Sequence, residues 1–187
     1  GPSAVWHVGG IRNEDWQEVL FGDGFDVQPT GDGEVYAMYQ GGALNRVDLT
    51  TLDATGIQPA RPDTTPLRFA WNAALALDPN DRDGVYFGSQ HVHYSPDRGS
   101  SWETLSPDLT TNDAAKLRQA TSGGLTIDAT KAENHCTILC IAPSASRPNE
   151  LWVGTDDGKL QHSQDRGATW VDHSEKLKGL PEGSWIP

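Results

Sequence analysis

An eight-residue pattern occurs twice in this chain, as Ser-Pro-Asp-Arg-Gly-Ser-Ser-Trp at Ser95 to Trp102 and as Ser-Gln-Asp-Arg-Gly-Ala-Thr-Trp at Ser163 to Trp170. The copies agree at five positions, and each follows a β-rich run. A recurring element of this kind signals a repeat architecture, in which each unit buries its apolar faces against its neighbours. The chemistry of the element suits a tight turn between strands. Gly99 and Gly167 supply positive φ, Asp97 and Asp165 accept bonds from the amides of their own turn, and Ser95 and Ser163 add a weaker local bond. Trp102 and Trp170 are then expected to open the next strand as apolar anchors. Local backbone bonding accounts for both aspartates without a catalytic role.

The surrounding sequence extends each element into a longer unit. Ala73 to Pro79 precedes Gly84 to Gly88, and Thr137 to Pro143 precedes Glu150 to Gly154, each an apolar strand, a Pro-containing turn and a second apolar strand. An earlier copy runs from Gly24 to Pro29 and then Glu34 to Met38. Pro29, Pro79 and Pro143 lie 7, 7 and 9 residues before the marker aromatics Tyr36, Tyr86 and Trp152. A third strand follows (His91 to Tyr94, Lys159 to His162), then the octapeptide, then a short fourth strand from Trp102 to Leu105 or from Trp170 to His173. In the first unit the octapeptide is reduced to Arg46-Val47-Asp48-Leu49, without Gly or Trp. Four antiparallel strands per unit predict an all-β fold, a β-propeller segment of about three four-stranded blades with partial blades at both ends.

The expected organisation is a tail and outer strand over 1–23, with Trp16 to Leu20 as the strand, and blades over 24–60, 70–110 and 136–175. An insertion spans 111–135, and 176–187 links to the start of a next blade at Ser184 to Pro187. Three blades fall short of the four to eight that close a ring. Further blades or further copies of the chain are therefore the expected partners.

Charge narrows the partner classes. Twenty-six acidic against fourteen basic side chains give a formal charge of −12, which opposes binding to nucleic acid or to anionic membrane surfaces. No stretch approaches the ~18 consecutive apolar residues of a membrane span, so membrane insertion is not expected. The opening Gly-Pro reads as a protease-cleavage scar. Cys136 and Cys140, four apart in a presumed strand, lie too far apart for a disulfide and read as small buried hydrophobes, compatible with a reducing or an oxidising compartment.

S-x-D-x-G-x-x-W resembles the Asp-box, or BNR repeat, shared by sialidases, xyloglucan-cleaving glycosidases, sortilin-type receptors and photosystem assembly factors. Val85 to Asp113 and Ile138 to Trp170, with GDGFDVQP at Gly22 to Pro29 and GLPEGSWI at Gly179 to Ile186, are similar to large bacterial BNR-repeat proteins of glycosyl-hydrolase or sortilin-like type. The resemblance covers nearly the whole chain. It implies a propeller, and an extracytoplasmic location, while leaving activity open, because the box recurs across unrelated functions.

No active site of these families is legible. The Arg-Ile-Pro motif of sialidases is absent, and Arg61-Pro62 and Arg68-Phe69 do not replace it. Glycosidases need two carboxylates about 5–9 Å apart across a cleft, and a chain this acidic nominates no pair; Asp23 and Asp26 read as turn residues. His91 and His93 share a strand face expected to be solvated. Asp78 to Gly84 lacks the register of a calcium loop and reads as a hairpin loop, as does Asp156-Asp157-Gly158. His135 and Cys136, as neighbours on a strand, would point to opposite faces, which argues against a dyad. No catalytic residue, cofactor or metal is assigned.

The insertion stands apart from the scaffold. Tyr86 and Trp152 are 66 residues apart against 50 for Tyr36 and Tyr86, and the excess lies between Ser106 and His135. A short helix over Ala114 to Gln119, capped by Asn112 or Asp113, is expected there before Ser122-Gly-Gly. Asn112, Asp113, Ser122 and His135 are the candidate binding-loop residues. The expected function is a non-catalytic propeller scaffold that binds protein, peptide or carbohydrate. Two alternatives stand beside it: part of a glycoside hydrolase propeller, and a natural or engineered self-assembling fragment.

Overall fold

The computed structural model describes residues 12, 15–60, 66–118 and 134–187. They form three antiparallel four-stranded sheets in chain order. The first comprises β1 (Gly24–Pro29), β2 (Glu34–Tyr39), β3 (Ala43–Asp48) and β4 (Ala54–Gly56). The second holds β5 (Leu75–Leu77), β6 (Val85–Gly88), β7 (Val92–Ser95) and β8 (Glu103–Thr104). The third holds β9 (Ile138–Pro143), β10 (Leu151–Thr155), β11 (Leu160–Ser163) and β12 (Val171–Asp172). Each sheet is a simple meander, and the three make an all-β propeller arc.

The two-residue period of the strands explains how the blades stack. In β6, Val85 and Phe87 face the first blade, where they pack with Tyr36, Met38, Leu44, Ile57 and Phe69. Tyr86, from the opposite face of the same strand, packs with Tyr94, Ile138, Ile141, Leu151 and Val153 toward the third blade. A middle strand is therefore apolar on both faces, and all four residues of β6 are buried. The fourth strands lie at the outer edge and are exposed throughout. Gly88 permits the close approach of the next blade, since a Cβ there would lie 2.9 Å from Ile138 Cγ2.

A repeated hydrogen bond sets the fourth strands. Ile57, Leu105 and His173 each donate a backbone N–H to the third strand of their own blade, at Leu44 (2.9 Å), Val92 (2.8 Å) and Leu160 (2.7 Å). These three positions are equivalent; the carbonyls of Ile57 and Leu105 face the following blade, whereas that of His173 accepts from the Lys176 amide at 2.9 Å. Trp102 Nε1 donates to the Ile57 carbonyl at 2.7 Å, and Trp170 Nε1 reaches the Leu105 carbonyl at 3.5 Å while donating to Gly167 O at 3.0 Å. Each tryptophan thus precedes its short fourth strand and ties its blade to the one before.

Several expectations need correction. Arg46 to Leu49 belongs largely to β3. The first blade turns instead at Asp48 to Asp53, where the Asp48 carboxylate accepts from the amides of Thr50 and Thr51 and Leu52 takes the positive φ, 62°. Trp16 to Leu20 is not a strand; Val19 and Leu20 pack as irregular chain on Val35, Ala37 and Val47. Cys136 lies outside β9, so it shares no strand with Cys140, and both thiols are free. At the other end, Ile186 donates its N–H to Thr155 O at 3.0 Å, as Ile138 does to Ser89 O at 2.8 Å. No helix among the described residues is long and apolar enough to cross a membrane.

Candidate functional site

The meander sorts the connections to two ends of the arc. One end holds the turns between first and second and between third and fourth strands, including both octapeptides. The other holds the turns between second and third strands and the links from blade to blade.

At the first end the two octapeptides share one bonding pattern. Ser95 Oγ donates to Asp97 Oδ1 (2.8 Å) and accepts from the Gly99 amide (2.7 Å). Asp97 in turn accepts from the Ser101 amide and hydroxyl, both at 2.7 Å. Ser163, Asp165, Gly167 and Thr169 repeat these bonds at 2.9, 2.8, 2.8 and 2.6 Å. The hydroxyls of Ser101 and Thr169 do most to hold Asp97 and Asp165 below the ordinary carboxylate range. That seventh-position hydroxyl escaped the sequence reading, although both copies carry Ser or Thr there. The turn also uses two left-handed residues rather than one: Arg98 and Arg166 at φ 58° precede Gly99 and Gly167 at 85° and 87°. This aims the arginines across the blade interfaces. Arg98 meets Asp83 of its own blade at 2.6 Å and, across the interface, Asp32 at 2.7 Å and Glu34 at 2.9 Å, while the Arg166 guanidinium lies 4.4 Å from the centre of the Tyr94 ring.

The opposite end gathers buried polar groups. His91 and His93 are 8% and 1% exposed, not solvated, because the second-to-third-strand turn tucks under the link leaving the blade. His91 Nδ1 lies 3.1 Å from the Ser106 carbonyl, and His93 Nε2 lies 2.8 Å from Ser89 Oγ. Asp156 and Asp157 do sit in the β10–β11 hairpin, yet both carboxylates are buried. Asp156 accepts from the Thr137 amide and hydroxyl, each at 2.8 Å, and burial pushes its pKa up. Burial also pushes on Asp157, but bonds from Thr155 Oγ1 (2.5 Å) and from the Thr111 amide and hydroxyl (2.7 and 2.8 Å) outweigh it, leaving this carboxyl below its ordinary value.

Of the four candidate loop residues, three are described and do not converge. Asn112 is exposed at φ 50°. Asp113 caps a single turn by accepting from the Ala115 amide at 2.8 Å, so residues 114–117 form turns and no regular helix; Gln119 and Ser122 lie outside the described residues. His135 joins another group altogether. Cys136 has φ 58°, and this left-handed backbone brings the His135 ring to the side of the thiol, with Nδ1 at 3.3 Å from Sγ. Asp157 completes a trio whose ligand atoms lie within 4.8 Å of one another. The expectation of opposite faces fails because the pair is not in extended chain. Beside the trio, a cleft of about 310 Å³ is lined by Thr111, Asp157, Lys159, Ser174, Glu182 and Ile186 among others.

No protein-family model and no curated protein matches the chain. Solved structures do. The GH74 enzyme of Niastella koreensis aligns over 89% of this chain and 24% of its own, with 18% identity and a TM-score of 0.51. YCF48 bound to a D1 peptide aligns over 81% of this chain and 39% of its own, with 11% identity and a TM-score of 0.47. The GH74 xyloglucanase of Xanthomonas campestris gives 88%, 23%, 23% and 0.46 in the same order. The chain spans well under half the length of each. At these identities the likeness to the Niastella enzyme is one of fold, and it agrees with the three meander sheets: the chain is built as consecutive blades of a β-propeller.

Proposed function

We propose that the chain is a non-catalytic propeller scaffold for a protein, peptide or carbohydrate ligand, and that blades bearing Asp-boxes complete it. The observation that carries this reading is the uncovered face of the third blade. Trp152, equivalent to the buried Tyr86, stacks on His162 with ring centroids 3.9 Å apart. Together with Val171, 53% exposed, and His173 they line an open depression of about 400 Å³. His173 occupies the position at which Ile57 and Leu105 present a carbonyl to a tryptophan, although its own carbonyl accepts from the Lys176 amide at 2.9 Å, so the third blade's face ends at the same backbone position as the two filled interfaces. The first blade, without the Gly and Trp of the box, is a poor filler for it. That favours further boxed blades over a second copy.

Light scattering and binding of an apolar dye test the completion. The expected result is a monomer whose dye binding falls in Trp152→Glu; a closed homo-oligomer dispersed by the same substitution assigns completion to copies of the chain. A monomer with no dye binding, unchanged by Trp152→Glu, would overturn the idea of an unfinished face. Ligand binding is tested on peptide and glycan arrays, with saturable binding lost on substitution of Lys159 or Glu182 in the 310 Å³ cleft. Turnover of aryl glycosides that disappears on changing one carboxylate would replace the scaffold reading with the hydrolase one.

A further inference from the structure

We propose that His135 Nδ1, Cys136 Sγ and a carboxylate oxygen of Asp157 form a binding site for a divalent transition metal of the zinc class. The three donors are of the types that such ions take, imidazole nitrogen, thiolate and carboxylate oxygen, and soft thiolate selects against magnesium and calcium. Tetrahedral coordination with metal–ligand bonds of about 2.0–2.3 Å places donor atoms roughly 3.3–3.8 Å apart. His135 Nδ1 and Cys136 Sγ are 3.3 Å apart already, and all three donors fall within 4.8 Å.

The backbone that creates this arrangement is unfavourable by itself. A non-glycine residue is disfavoured in the left-handed region by the clash of its Cβ with the backbone, and Cys136, at φ 58° and fully buried, occupies it. Without that conformation the two side chains would diverge. The surroundings fix the remaining donor: Thr111 and Thr155 hold the Asp157 carboxylate by three bonds, as outer-shell groups hold metal ligands. Charge is balanced as well, since thiolate and carboxylate together offset the two positive charges of the ion. On binding, the metal–sulfur bond replaces the S–H bond, one proton leaves to the buffer, and the six-coordinate aqueous ion sheds five of its waters while keeping one in the fourth position. The ion would staple the entrance of the third blade to its own second hairpin.

The test uses the chelator-treated full chain and cobalt(II) as the probe. Expected are one cobalt per chain, the visible bands of tetrahedral cobalt, a near-ultraviolet thiolate-to-cobalt band, displacement by zinc and a rise in Tm with either ion. Cys136→Ala should remove the thiolate band, and His135→Ala should weaken cobalt binding at least tenfold. Because His135 is partly exposed, its variant is the decisive one should the buried Cys136 variant fail to fold. No saturable cobalt binding, unchanged affinity in His135→Ala, or a thiolate band that survives Cys136→Ala would each overturn the proposal.

Discussion

Gly167 and Gly179 hold nearly the same backbone angle, φ 87° and 86°, in different surroundings. A Cβ at Gly167 would lie 2.7 Å from the Leu105 carbonyl oxygen of the preceding blade, while one at Gly179 would meet nothing within 4 Å. Gly179→Ala therefore isolates the conformational cost, about 1 kcal/mol, and Gly167→Ala adds a backbone clash that brings the loss to about 3 kcal/mol. Urea unfolding of the two variants measures the difference; equal losses would show that the interface yields freely. The aspartates of the same turns set an acid limit. Both are held below the unfolded value of about 3.9, so their contribution is present above that value and is lost as pH falls through the folded one. Stability should decline below about pH 4, and the Asp97→Asn/Asp165→Asn double variant should show a shallower decline.

At the scale of elements, the tryptophans that follow the turns act between blades. Trp102→Phe keeps a ring against Phe87, whose centroid lies 6.3 Å from that of Trp102, but removes the donor to Ile57. Thermal unfolding should show a loss of about 1 kcal/mol. Elements of this kind were legible in the sequence because their bonds are local: Ser95, Asp97, Gly99 and Ser101 fall within seven residues. The hairpins at Asp78 and Asp156 were legible for the same reason. His135, Cys136 and Asp157 were not, since their approach depends on a left-handed cysteine and on a hairpin 21 residues away. The burial of His91 and His93 was hidden likewise, because it is imposed by the link that packs over their turn. The first blade's turn was misplaced for want of a glycine: Leu52 adopts the left-handed angle that the sequence reading sought at a glycine.

At the scale of the whole molecule, the interface between the first two blades gathers a cluster of ion pairs. Arg98 serves Asp32, Glu34 and Asp83 at once, its charged form favoured first by the bond to Asp83. In a chain with a formal charge of −12, removing that cation leaves three carboxylates with only Arg82, on Asp32, and Arg46, on Glu34, to offset them. Arg98→Met should lower Tm more at low ionic strength than at high, where screening relieves the repulsion. A salt-independent loss would assign the effect to packing of the arginine stem instead.

The recurring carbonyls of Ile57 and Leu105, with His173 at the equivalent backbone position, also define a reading frame for the architecture. Each unit begins just after one acceptor and ends on the next, so excising residues 58–105 would join Ile57 to Ser106 and bring Trp170 to the acceptor vacated by Trp102. Duplication of the same interval would lengthen the arc by one member, with a single new interface, between the two copies of the second blade. Recombination at these joints can therefore change the number of modules while conserving the grammar by which one recognises the next.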